Sequence, residues 1–246
     1  MNTQKTSTKK TRNVVLALVL GAVVILAIVF AGAAANENRL KPAGTGSNAL
    51  GESNLPAAEQ APDVKLERRI SGDPMALGAV DAPVVMIEYS DYRCPFCGVY
   101  ARKTQPEIIQ KYVDSGQLRI EWRDLPVLGE ASVNAAVAAR AAGEQGLFWE
   151  FNQAVYAGAP EKGKAELSEA ELLKFAQKAG VPDLAKFSAD SKSPELLALV
   201  KADLSEGTAL GLNSTPTFVI NNEAIPGAQP MEVFSEVIDA ALAKAK

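Results

Sequence analysis

The sequence predicts an α/β fold: a strand–helix–strand unit, a block of inserted helices, then a closing hairpin and a last helix. Three observations predict it. Val84-Val-Met-Ile-Glu88-Tyr89 is a near-continuous apolar run of strand length, as expected of a strand buried on both faces. Leu118-Arg-Ile-Glu-Trp122-Arg-Asp alternates as a second strand does. Between about residues 130 and 212 the pattern turns helical and Ala-rich, and strand character returns only at Thr217-Phe-Val-Ile220.

The chain of 246 residues begins with a tail, residues 1–13, holding Lys5, Lys9, Lys10 and Arg12 and no acid. Residues 14–35, from Val14 to Ala35, carry no charge. As a helix rising about 1.5 Å per residue, this run just crosses a hydrocarbon core of roughly 30 Å. The basic tail places the N-terminus in the cytoplasm and the remainder outside the membrane. Ala33-Ala34-Ala35 also fits a signal-peptide cleavage pattern, but the apolar stretch exceeds the usual secretory length of about 7–15 residues, which favours a retained single-pass anchor. Residues 36–63 are polar and turn-rich without periodicity, the composition of a flexible linker. The globular domain is expected over 64–246, with the helical insertion at about 130–212.

Within that domain Lys65–Ile70 reads as a short strand, and Asp73-Pro74 and Asp81-Ala-Pro83 as turns. After strand 84–89 a helix is expected from Cys94, with Phe96, Val99, Tyr100, Ile108, Ile109 and Tyr112 facing inward. Pro106 forces a kink or restart, and Thr104 with Glu107 has the spacing of a capping box. Ser132 to about Ala157 reads as a long helical region, Ala-rich with aromatics at Phe148, Trp149, Phe151 and Tyr156. Ser168-Glu-Ala-Glu171 caps another that Gly180 ends, and shorter helices follow at Pro182–Phe187 and from Pro194 to about Leu212. Asn221-Asn222 suits a tight hairpin toward Glu223-Ala-Ile225, and Met231–Lys244 is amphipathic.

The only two cysteines, Cys94 and Cys97, stand at i, i+3 where the first long strand gives way to a helix. A thiol at a helix N-terminus meets unpaired N–H groups and the positive end of the dipole, both of which favour the nucleophilic thiolate. Pro95 suits the first helical position, where its missing N–H costs nothing. An inert structural disulfide is the plainer alternative, but closing so small a loop stabilises little. The chain has no histidine, which excludes Ser-His-Asp and Cys-His catalysis and histidine metal sites, and two cysteines cannot build a four-sulfur zinc site. Four of the 25 basic residues and none of the 29 acidic ones precede residue 36, so the rest carries a net charge of −8, which argues against a nucleic-acid partner.

These residues carry a resemblance. Ser90-Asp-Tyr-Arg-Cys-Pro-Phe-Cys-Gly98, Arg123-Asp-Leu-Pro126, Ser214-Thr-Pro-Thr-Phe218-Val-Ile and Ile225-Pro-Gly227, at these spacings, resemble the exported thiol–disulfide oxidoreductases of the DsbA type in the thioredoxin superfamily. The resemblance implies a thioredoxin-like fold with a helical insertion, preceded here by the transmembrane helix and linker. It implies that Pro216 is a cis-proline opposite the redox pair, that its neighbour Thr215 contacts the pair, and that Glu88 modulates proton transfer. The plainer role for Glu88 is a buried acid paired with a base. Phe96 departs from the histidine of the best-known strong oxidant, so a Cys94 pKa in the middle of the family's range, roughly 3.5 to 7, is expected, set by backbone N–H groups and the helix dipole.

The functional expectation is a dithiol oxidase that introduces disulfides into reduced or unfolded exported proteins. With no third cysteine, its reoxidation falls to another protein, which the resemblance implies is a quinone-linked membrane oxidoreductase. A reductase or isomerase, for example in cytochrome maturation, and a non-catalytic binding module are the alternatives. No cofactor and no metal are implied. Tyr89, Asp91 and Arg93 border the motif as tuning residues at the surface, and the remaining Lys and Arg side chains read as a solvated face.

Overall fold

The computed structural model describes residues 65–245, so the expected tail, anchor and linker lie outside the described residues. Among the described residues no helix is long and apolar enough to cross a membrane.

A five-stranded sheet is built from β1 (Ala76–Leu77), β2 (Val84–Ser90), β3 (Leu118–Asp124), β4 (Thr217–Ile220) and β5 (Glu223–Pro226). Its spatial order is β1-β3-β2-β4-β5. β2 and β3 run parallel, with Glu88 beside Trp122 and Ser90 beside Asp124, and every other pairing is antiparallel. The parallel pair demands a crossover, supplied by α1 (Pro95–Lys103), α2 (Gln105–Ile108) and a π-helical turn, Ile109–Val113. After β3 come α3 (Glu130–Gly143), α4 (Phe148–Gly158), α5 (Glu169–Ala179), α6 (Leu184–Asp190) and α7 (Pro194–Ala209), and α8 (Met231–Lys244) closes the chain.

Strand alternation divides the interior. Val84 and Met86 of β2, Leu118 and Ile120 of β3, and Phe218 and Ile220 of β4 form one core with Tyr100, Tyr112, Phe234 and Ile238. Val85, Ile87, Tyr89 and Val219 form a second core on the other face, against Leu66 and Leu204. The inserted helices enclose a third core of alanines and aromatics, which takes in Trp122, Tyr92, Cys94 and Cys97. The close approach of α7 to the sheet needs Gly207, where an added Cβ would lie 2.8 Å from Leu125 Cδ1 and 3.4 Å from Tyr89 Cδ1.

Several expectations are corrected. Lys65–Ile70 is not a strand; the Arg68 and Arg69 N–H groups both donate to the Glu121 carboxylate instead, and the edge strand is the short β1. β3 is buried at all seven positions, because Arg119, Glu121 and Arg123, which make it look half-exposed, satisfy one another under the N-terminal segment and α7. The basic side chains are therefore not all a solvated face: Arg123 is 1% exposed, and Arg140 bridges Asp124 and Asp203. The helical region expected over Ser132–Ala157 holds two helices, parted at Gly146, whose φ of 75° a helix does not permit. Thr104 makes no capping bond; its hydroxyl donates to the Gln229 carbonyl, tying the α1–α2 junction to the α8 side.

Other local signals hold. Ser168 Oγ accepts from the Glu171 N–H, and Gly180 ends α5 at φ 82°. Asn221 and Asn222 both take positive φ, 46° and 66°, as the two-residue hairpin requires.

Candidate active site

Cys94 is the N-cap of α1, and Pro95 follows at its first turn. An extended N-cap followed by a proline at N1 leaves the first-turn N–H groups of Phe96 and Cys97 free of helical partners, and both favour the Cys94 thiolate. Both cysteines are free thiols.

Across from Cys94 the Thr215–Pro216 peptide is cis, as the resemblance implies. The Cys94 Sγ donates to the Thr215 carbonyl oxygen at 3.2 Å, so Thr215 does contact the pair through its backbone, and its side chain also favours the Cys94 thiolate. The Pro216 carbonyl accepts from the Gly227 N–H at 2.8 Å, which anchors the turn to the hairpin. Pro216 itself precedes β4.

The two sulfurs differ in environment. Cys94 is pulled down to about 6: a hydrogen bond from the Cys97 thiol acts most strongly, burial opposes it, and Thr215 and the N–H groups of Cys97 and Phe96 add to it. The backbone contributes as expected, but the partner thiol outranks it. Burial pushes Cys97 well above the ordinary thiol range, and the Cys94 sulfur adds to the shift. Exposure is lower than expected of an accessible nucleophile, 6% for Cys94 against 1% for Cys97, because the Thr215 carbonyl and the aromatic core close over the pair. The expected inward Phe96, in the first turn of α1, is instead 64% exposed.

Glu88 is 1% exposed and, among the described residues, is acted on by Ser90 and Gln105 rather than by a base. Burial pushes its carboxyl up to about 8, with hydrogen bonds from Ser90 and Gln105 only partly opposing this. Ser90 Oγ donates to one carboxyl oxygen at 3.2 Å and Gln105 Nε2 to the other at 3.2 Å. Ser90 and Gln105 were not singled out from the sequence. Ser90 was findable, because i and i+2 share a strand face; Gln105 was not, because its place depends on the restart at Pro106.

The residues bordering the motif are structural as well as local. Asp91, 1% exposed, accepts from the N–H groups of Arg93 at 2.8 Å and Leu128 at 3.0 Å. Arg93 donates from Nε to the Ala165 carbonyl at 2.9 Å and from Nη1 to the Leu128 carbonyl at 3.0 Å. Tyr89 is fully buried and donates to Glu206 at 2.8 Å. These three fasten the cysteine loop to the inserted segment and to α7 rather than tuning a surface. A cavity of about 420 Å³ among the inserted helices, lined by Glu130, Leu167, Leu172 and Phe187, includes none of the expected site residues. Among the described residues no cluster of His, Cys, Asp and Glu could hold a metal ion.

Residues 71–240 match the family described as Thioredoxin. The probable disulfide bond formation protein D of Bacillus anthracis is 29% identical over 150 residues, 59% of this chain and 69% of that protein. The crystal structure of Wolbachia pipientis alpha-DsbA1 superposes with a TM-score of 0.62 at 25% identity, covering 70% of this chain and 92% of that one. A Na(+)/H(+) antiporter, NhaA 3 of Salinispora tropica, is 31% identical over 171 residues, 69% of this chain. This chain spans only 25% of the antiporter's length, so that likeness concerns one segment of it. The likeness to DsbA-type thiol–disulfide oxidoreductases, first carried by the motifs, thus extends to the fold, and the chain belongs to the thioredoxin family.

Proposed function

We propose that this chain is a membrane-anchored, extracytoplasmic dithiol oxidase that installs disulfides in exported proteins through Cys94 and Cys97. The observation that carries the proposal is the Cys94 sulfur at the tip of α1, held down to about 6 and set against the cis Thr215–Pro216 peptide with Cys97 buried behind it. A sulfur that ionises easily leaves easily, so a mixed disulfide at Cys94 is readily displaced.

In the proposed cycle a substrate thiolate attacks Cys94 of the oxidised pair. The Cys94–Cys97 bond breaks, the Cys94–substrate bond forms, and the electron pair goes to Cys97. A second substrate thiolate then attacks the substrate sulfur of the mixed disulfide and releases Cys94 as thiolate. The substrate has lost two electrons and the cysteine pair has gained them. A quinone-linked membrane oxidoreductase is the proposed acceptor of those electrons, and residues 14–35 the proposed anchor that keeps the domain near it. Pro216 and Thr215 are proposed to present backbone to the substrate chain beside Cys94, and Pro95 and Phe96 to set the reactivity of the pair.

The name of the Bacillus anthracis relative, a disulfide bond formation protein, supports the oxidising direction. Refolding of reduced ribonuclease by the full chain tests it, together with the reduction potential of the couple. An oxidase refolds ribonuclease and has a potential above about −200 mV. Insulin reduction with a potential well below that would reverse the direction, and neither activity would reject the enzyme.

A further inference from the structure

We propose that the cavity among the inserted helices is a second substrate subsite, which takes an apolar side chain carried next to a basic one on the polypeptide being oxidised; this rests on the thiol–disulfide exchange proposed above. The cavity holds about 420 Å³, within the range of small-ligand sites. Its floor is apolar and comes from three parts of the insertion: Leu167 before α5, Leu172 on α5 and Phe187 on α6, all buried. Its rim is acidic. Glu130 opens α3, Glu169 opens α5, and Glu166 stands just before α5 with its side chain 93% exposed. Lys192 is the one base lining the cavity, and it is paired with Glu169 at 2.6 Å. Glu166 comes no nearer than 3.9 Å to Arg93. Three carboxylates against one ammonium leave the rim negative above an apolar floor, the complement of a basic residue beside an apolar one.

Other occupants fit less well. An anion would seek the N-terminal ends of α3 and α5, but each of these already carries a glutamate in its first turn, and Ser168 Oγ accepts from the Glu171 N–H. A second copy docking here about a two-fold axis would set one acidic rim against its equal. A substrate is favoured because the cavity is fastened to the redox motif. Leu167, Leu172 and Phe187 belong to the same core as Cys94 and Cys97. Arg93, the residue before Cys94, donates from Nε to the Ala165 carbonyl at 2.9 Å and from Nη1 to the Leu128 carbonyl at 3.0 Å. Asp91 accepts from the Leu128 N–H at 3.0 Å. Ala165 adjoins Glu166, and Leu128 lies two residues before Glu130, so the motif loop and the rim form one piece. The step from motif to rim is one arginine side chain and one or two residues, within reach of about five extended residues of substrate, which cover roughly 17 Å. A substrate seated there stays bound beside Cys94 while its second thiol finds the mixed disulfide.

The test is single-turnover oxidation of two dithiol peptides by the oxidised full chain. Each carries a leucine about five residues from its cysteines, preceded in one by lysine and in the other by glutamate. The lysine peptide should react about tenfold faster at low salt, and the ratio should shrink as salt is raised. Combining Glu130→Lys with Glu166→Lys should bring the ratio to one or below; both side chains are exposed, so the fold is kept. Equal rates in the wild type, or a ratio the double variant does not move, overturns the subsite. Calorimetry with a cysteine-free lysine–leucine peptide reads the cavity without the chemistry: the wild type should bind it about tenfold more tightly than the double variant, and no binding overturns the subsite. A chain that binds this peptide but oxidises neither dithiol peptide overturns the oxidoreductase proposal instead. A dimer in sedimentation that the double variant dissolves assigns the cavity to a second copy and overturns the subsite.

Discussion

The Cys94 sulfur lies 3.2 Å from the Thr215 carbonyl oxygen, so the reactive end of α1 and the turn before β4 are joined by one hydrogen bond from a thiol that ionises near pH 6. Ionisation removes the proton that makes this bond. The site in its thiolate form therefore relies on the Cys97 thiol, the Thr215 side chain and the first-turn N–H groups.

Cys97→Ala removes the strongest of those donors. The Cys94 titration should climb from about 6 toward the ordinary thiol value of about 8.5. Ultraviolet thiolate absorbance against pH measures this, and an unmoved midpoint would show that the helix end alone sets it. The same shift fixes a sign for stability. A lowered folded-state pKa stabilises the reduced protein in the ordinary thiol range and above, and that gain is lost as pH falls through about 6.

Glu88 gives the opposite slope. Its folded pKa of about 8 stands above the ordinary 4.5, so folding retains a proton that the unfolded chain releases. Stability should be highest below 4.5 on this account and fall until pH passes about 8, by an amount on the order of 5 kcal/mol. Glu88→Gln should flatten that slope and raise the unfolding midpoint at pH 8. Urea titrations of both proteins at several pH values check it, and parallel slopes would contradict the burial argument.

Phe96 is a large apolar side chain left 64% exposed between two buried cysteines. Phe96→Ala should leave unfolding free energy within about 0.5 kcal/mol. It should raise KM for a dithiol substrate with apolar neighbours about fivefold, on the order of 1 kcal/mol of lost contact. Steady-state kinetics with two peptides, one apolar and one polar around the cysteines, separate this contact from a change in sulfur chemistry. An equal loss on both would assign Phe96 to the chemistry instead.

Arg140 is the counter-charge for two buried carboxylates, Asp124 at 2.6 Å and Asp203. Arg140→Met leaves Asp124 without a basic partner and Asp203 with Arg68 alone, and should cost about 3–5 kcal/mol in urea unfolding. Adding Asp124→Asn and Asp203→Asn to Arg140→Met should recover part of that loss, because the burial of charge is then relieved. A loss under about 1 kcal/mol would place this network among weak surface pairs.

Much of the molecule was legible because its signals are local. Val84–Tyr89, Leu118–Asp124, the Ser168 cap, the Asn221-Asn222 turn and Met231–Lys244 are each decided by a few neighbouring residues, and the structure keeps them. What escaped depends on distance along the chain. Arg119, Glu121 and Arg123 look solvated until the N-terminal segment and α7, from residues far away in sequence, are laid over them. Lys65–Ile70 carries strand composition but spends its N–H groups on the Glu121 carboxylate. At the site, Cys94, Cys97, Thr215 and Pro216 are brought together as their motifs implied. The covering of Cys94 and the outward turn of Phe96 follow from helix orientation, which spacing alone does not reveal.

The sulfurs are packed with the aromatics of the inserted helices, whereas Pro216 is fastened to the hairpin through Gly227, so the reactive gap is a seam between two separately packed blocks. Mild denaturant that loosens only the helical block should therefore silence the chemistry while the strands remain protected from hydrogen exchange. In such a molecule catalytic competence is a more sensitive gauge of integrity than the melting of its sheet.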